Sequence, residues 1–154
     1  MPILIKRSLL FIALMIAGLA LYAFVYGISA DKYDETVIPY LDKNLPQITS
    51  WQYSKLKPLL TPQAQSEFET EAGRATFILF AKLGRLESIG KAKYGAKGSE
   101  LSEGLGEVDL ISYTVPVEFD TGPAVVKLNL VINGDSYIIQ HIGISSEVFA
   151  LPAQ

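Results

Sequence analysis

The sequence contains no cysteine, and that one absence removes disulfide staples, thiolate nucleophiles, lipid attachment through sulfur and cysteine-based zinc sites. It holds a single histidine, and its carboxylates are scattered without ligand spacing, so neither a metal nor a cofactor is expected. Positive charge is also short. Against 16 Asp and Glu stand 13 Lys and Arg, giving a net charge of −3 and a pI near 5.1. No basic field is available to hold phosphates, which excludes nucleic acid as an expected partner. The glycine-rich, acidic stretch from Gly95 to Gly106 lacks the Lys-Ser/Thr end of a phosphate loop and reads as a flexible turn.

Charge is missing altogether between Ser8 and Ala30. A helix over that stretch would reach roughly 33 Å at 1.5 Å per residue, enough to cross about 30 Å of hydrocarbon. Its Leu, Ile, Phe and Val side chains each favour insertion by about 0.3 to 0.6 kcal/mol when central. Lys6 and Arg7 precede the span, and Asp31, Asp34 and Glu35 follow it with only Lys32 nearby, so the positive-inside bias puts the N-terminus in the cytoplasm and the rest of the chain across the membrane. Tyr22 and Tyr26 fall toward the outer end, where amphipathic rings favour the headgroup region. A cleaved signal peptide is the competing reading, because Ser29 and Ala30 are small. Against it, the apolar run exceeds the usual length of about 7 to 15 residues and Ile28 is not small. Ala13, Ala17, Ala20 and Gly27 recur on one helical stripe, where an integral membrane protein partner could approach closely. The bland alternative is that Ala and Gly are simply common in such helices.

With 154 residues in all, the chain has room for one domain beyond the anchor. The expected division is an anchor over 1–30, a juxtamembrane helix and linker over 31–49 in which Pro39 ends or kinks the helix, and an exported domain over 50–154. Ser50 is positioned to cap a short segment carrying Trp51, Tyr53, Leu56, Leu59 and Leu60. Thr61-Pro62 is a helix start, with the hydroxyl as N-cap and proline at the first helical position. The apolar period from Phe68 to Leu83 then predicts one long helix ending at Gly84, a residue suited to a left-handed C-cap. Glu67, Glu69 and Glu71 would relieve the dipole at its start.

Beyond Gly84 the pattern alternates, and four strands are predicted. The first covers about Arg85 to Tyr94. The second puts Ile111, Tyr113, Val115, Val117 and Phe119 on one face, with Pro116 arguing for an edge or a bulge. The third puts Val126, Leu128, Leu130 and Ile132 on one face, and Asn133-Gly134 is a strong hairpin signal. Two registers remain open for the last strand. A two-residue type I′ turn puts Tyr137, Ile139 and His141 on the face of Leu128 and Leu130. A bulged turn puts Ile138, Ile142 and Ile144 there and His141 on the other face.

The Leu60-Thr61-Pro62 helix start, the Leu83-Gly84-Arg85-Leu86 entry into the sheet and the long hairpin from Val108 to Ile144 give an α+β order. Over residues 50–148 that order resembles small cystatin-like and NTF2-like domains, with helices packed on a four-stranded antiparallel sheet. The resemblance implies a membrane-anchored bacterial protein held in the inner membrane, its C-terminal domain periplasmic, serving as a non-enzymatic accessory or scaffold subunit of a membrane complex. Two alternatives follow from the same resemblance. One is a small-ligand-binding cone, of which an isomerase or dehydratase type would be the enzymatic form, with Tyr94, Tyr113 and His141 near the pocket. The other is an assembly protein similar to the type IV secretion inner-membrane component, although that family's Asn-Pro-x-Gly motif is absent here. No catalytic residue is assigned. Trp51, Tyr53 and Phe68 are read either as a lid over the cone or as core.

Overall fold

The computed structural model describes residues 2–150, and the side chains of these except 2–7, 9, 10 and 29. Lys6 and Arg7, on which the orientation argument rests, therefore lie outside the described side chains. The chain divides into two compact units, Met1–Glu35 and Thr36–Gln154. Helix α1 runs Pro2–Ile48 and contributes to both.

In the first unit, Phe11, Leu14, Leu19 and Leu21 are exposed along α1, as are Ala13, Ala17 and Ala20 of the small-residue stripe, while Gly27 is half-buried. The second unit begins ahead of residue 50, where the exported domain was expected to start. The stretch read as a juxtamembrane helix and linker is helical through Ile48, with Pro39 and Pro46 inside α1. Both prolines are exposed, while Val37, Leu41, Leu45 and Ile48 form a buried stripe at helical spacing. Burying each of those side chains is worth about 1.5 to 3 kcal/mol, which offsets the roughly 3 kcal/mol that a proline costs inside a helix. Ser50 does not start the next helix. Its hydroxyl donates to the Gln47 carbonyl at 2.7 Å and closes α1.

A short α2 (Tyr53–Leu56) and a 3-10 turn (Lys57–Leu59) bring the chain to Thr61. The Thr61 hydroxyl accepts from the Ala64 N–H, and Pro62 opens the next helix as expected. The single long helix predicted from Pro62 is instead two, α3 (Pro62–Glu69) and α4 (Glu71–Ala81). Thr70 is the joint. It is extended at φ −68 and ψ 162, ends α3, and caps α4 by accepting from the Gly73 N–H at 3.0 Å. Of the three nearby glutamates only Glu71 thus stands at a helix N-terminus. Gly73 permits the tight corner, because a Cβ there would overlap the Glu67 carbonyl oxygen. After α4, Gly84 takes φ +78, the left-handed conformation expected of it.

The sheet has five antiparallel strands where four were expected: β1 (Leu86–Ile89), β2 (Lys93–Ser102), β3 (Gly106–Phe119), β4 (Gly122–Asn133) and β5 (Ser136–Ser146). β3 is central. One side of it pairs with β4, which pairs with β5; the other side is shared by β1 and β2. Most of the expected loop at 95–106 is therefore strand β2, closed onto β3 through Gly104 and Gly106 at φ +82 and +78. Pro116 lies within β3, opposite the break between β1 and β2, where its missing N–H interrupts no ladder and its carbonyl accepts from Gly90 at 2.7 Å. The inward row of β3 is as expected: Ile111, Tyr113, Val115, Val117 and Phe119 are all buried.

The β4–β5 hairpin combines both registers. Asn133 pairs with Ser136 across Gly134-Asp135, and of those two only Gly134 has positive φ, which fits a two-residue type II′ turn, neither of the two turns left open by the sequence. Leu130 then pairs with Ile139, but Leu128 pairs with Ile142 and Val126 with Ile144. Gln140 is the extra residue of a bulge. Tyr137 and Ile139 share the inner face before it, Ile142 and Ile144 after it, and His141 opposite Asn129 takes the other face.

Gly73→Ala should destabilise the folded unit by about 1 to 3 kcal/mol in a urea titration of the full chain, because backbone and not side chain must give way. Gly98→Ala, where a Cβ meets nothing within 4 Å, is the control and should be close to neutral.

Candidate functional site

The structure separates the three residues expected near a pocket. Tyr94 and Tyr113 are adjacent across the β2–β3 pair, their ring centroids 5.8 Å apart and 77° to one another, and both are buried. Edge-to-face rings at that spacing are core packing. His141 is elsewhere. It lies on the opposite face of the sheet, in a shallow groove with Glu67, Phe68, Gly73 and Thr76. Neither tyrosine lines that groove.

What His141 does join is a polar cluster built by the bulge. Its Nε2 is 3.1 Å from Oε1 of Glu100, and the same oxygen accepts from Nε2 of Gln140 at 2.7 Å. On the other side of the amide, Gln140 Oε1 accepts from the Thr61 hydroxyl at 2.7 Å and the Ser102 hydroxyl at 3.1 Å. These partners fix the amide's orientation, since reversing it would turn a carbonyl oxygen toward the carboxylate. The Thr61 N–H also donates to the Ile139 carbonyl at 2.9 Å. Gln140, Thr61 and Ser102 are 1%, 0% and 2% exposed, so the inner half of the cluster is sealed from water.

Chemically the cluster is a clamp. The Glu100 oxygen nearest the imidazole is already occupied by the Gln140 amide, and the reactive-looking pair sits at the rim of a buried network that ties the α3 cap to β2 and β5. Sequence reasoning found Thr61 as a cap but missed Gln140 and Ser102. A glutamine between Ile139 and His141 in an apolar strand was the available signal. Among the described residues, no three His, Asp or Glu side chains come together as a cation cage.

A second polar feature borders an aromatic patch. Tyr53, Phe68 and Phe77 meet in tilted and edge-to-face contacts at centroid distances of 6.1 to 6.4 Å, and Trp51 meets Phe77 and Phe119. Lys57 Nζ sits 2.8 Å from Glu69 Oε1, with Tyr53 Oη donating to the same oxygen at 3.2 Å. The hydrogen bond from Lys57 holds the Glu69 carboxyl below the usual glutamate range, and Glu69 in turn raises Lys57. Tyr53 is raised first by burial and then by Glu69.

No family model matches the chain, and neither does any curated protein or solved structure.

Gln140→Ala should cost about 2 to 4 kcal/mol of stability, since it strands two buried hydroxyls, whereas His141→Ala, at the solvent-exposed rim, should cost about 1 kcal/mol or less. Chemical denaturation of the two variants checks the order; a reversed order would mean that the histidine, not the glutamine, holds the cluster. For Glu69, a depressed carboxyl stabilises the fold at neutral pH, and that contribution is lost as pH falls through its folded value. Carboxyl NMR should show Glu69 titrating below the other glutamates and returning to the ordinary range in Lys57→Ala.

Proposed function

We propose that this is a single-pass membrane protein whose folded unit, held outside the cytoplasm, is a non-enzymatic interaction module of a larger membrane complex. The observation that carries this reading is the N-terminal half of α1. It is the one helix among the described residues long and apolar enough to cross a membrane, with an 18-residue stretch of mean hydropathy 2.2, none of it buried. Exposing that many large apolar side chains to water opposes roughly 1.5 to 3 kcal/mol of burial each, so lipid is the environment that suits them. The charge asymmetry of Lys6 and Arg7 against Asp31, Asp34 and Glu35 supports a cytoplasmic N-terminus. Ala13, Ala17, Ala20 and Gly27 supply a flank along which a second membrane helix could pack.

The ligand-binding cone has less to support it, because Tyr94 and Tyr113 fill the interior with each other and His141 belongs to the clamp. A likeness to the type IV secretion component adds a place for the module, an assembly at the inner membrane, without adding chemistry.

An alkaline phosphatase fused behind Gln154 should be active, and a fluorescent protein that matures only in the cytoplasm should be dark at the same position. The opposite pair of results would reject the topology. Ala17→Leu with Ala20→Leu should lower the yield of any co-purifying membrane protein at least several-fold without changing chain abundance.

A further inference from the structure

β1 and β2 are hydrogen-bonded to β3 along one side, and no strand among the described residues pairs with their other side. Ser88 lies opposite Glu118, and the Gly90 N–H is taken by the Pro116 carbonyl. By antiparallel alternation, Ile89 between them turns its own N–H and C=O outward. That outward side is not bare. β1 lines one side of a groove of about 660 Å³ whose other side is Pro46, Thr49, Ser50 and Trp51.

The groove wall is held rigidly. Trp51 adopts φ +57, a conformation that bulky residues rarely take, and its indole Nε1 donates to the Gly84 carbonyl while the ring lies against Phe119 at 5.7 Å. Such strain persists only where the surroundings enforce it, and it tends to mark places that bind something. A strand added beside β1 would lie about 4.8 Å from it.

Charge identifies the occupant. Along this edge run Arg85, Lys91, Lys93 and Lys97 with Glu87 as the sole acid, whereas the charged residues over 99–121 are all acids. Lys97 is held by Asp109 at 3.0 Å and Arg85 reaches Glu87 at 3.8 Å; Lys91 and Lys93 are exposed and make no ion pair among the described residues. Lysines on a sheet edge also deter indiscriminate pairing, and they would repel the same edge of a second copy. Both effects vanish for a strand that brings carboxylates.

We propose that this edge binds an extended acidic peptide segment of a partner protein, adding it as a strand beside β1 and the start of β2. The inference rests on the reading of the folded unit as an interaction module, and names the chemistry of its partner.

Trp51 is the single tryptophan of the chain and lines the groove, so its fluorescence reports occupancy. Full-length protein in detergent micelles is titrated with a capped eight-residue peptide alternating Glu and Val. A saturable change in Trp51 emission is expected. It should weaken at least tenfold when Lys replaces Glu, and at least tenfold when alternate peptide nitrogens on the pairing side are methylated. Lys91→Glu with Lys93→Glu should exchange the preference toward the Lys peptide. Equal binding of the methylated peptide, equal binding of the Lys peptide, or no saturation would each overturn the proposal. So would the same emission change on concentrating the chain without peptide, which would assign the edge to a second copy. Micelle titrations do not depend on the α1 stripe, so failure here and failure of the membrane partnership are separate results.

Discussion

One surplus residue in β5 shapes much of the folded unit. Were Gln140 held in the regular ladder instead of bulged out of it, Ile139 and Ile142 would stand on opposite faces of the sheet, and one half of the strand would turn its apolar side chains away from β4's inner row. The bulge shifts the alternation by one, so that both halves face inward. It also leaves a side chain with no natural place in the ladder. That side chain becomes the anchor to which Thr61, Ser102 and Glu100 are bound, and α3 takes its starting point from Thr61. Strand alternation, helix placement and the only buried amide cluster described here thus stem from the same irregularity.

The legible parts of the fold were those governed by local chemistry. Thr61-Pro62, Gly84 and the alternation from Ile111 to Phe119 each carry their signal within a few residues, and each stands where the pattern placed it. The misread parts were decided by distant packing. Pro39 and Pro46 argue against helix on propensity, but the stripe from Val37 to Ile48 is buried and the propensity yields. The continuous apolar period through Thr70 concealed a corner, because a joint of one extended residue barely disturbs the spacing. Glycine and acid content disguised β2 as a loop, although its partner β3 supplies the regularity that β2 lacks.

The candidate site was legible only in fragments. Two registers were open for β5, and each was correct over half of the strand; a choice between them could not have placed His141 with Glu100, since that pairing requires the bulge. Tyr94 and Tyr113, expected near a pocket, pair across β2 and β3, and their ring-to-ring contact fills space that a ligand would need.

The two lateral borders of the sheet are unequal. At β5 the Leu60-Thr61 segment bridges to Ile139 and takes up its carbonyl, and the adjacent bulge breaks the run of evenly spaced donors and acceptors. Stacking of copies into a fibre needs a free border at both ends of every subunit. Where Leu60-Thr61 covers Ile139, a further strand is kept from pairing along the whole of β5, so the border is interrupted at that point as a template for stacking.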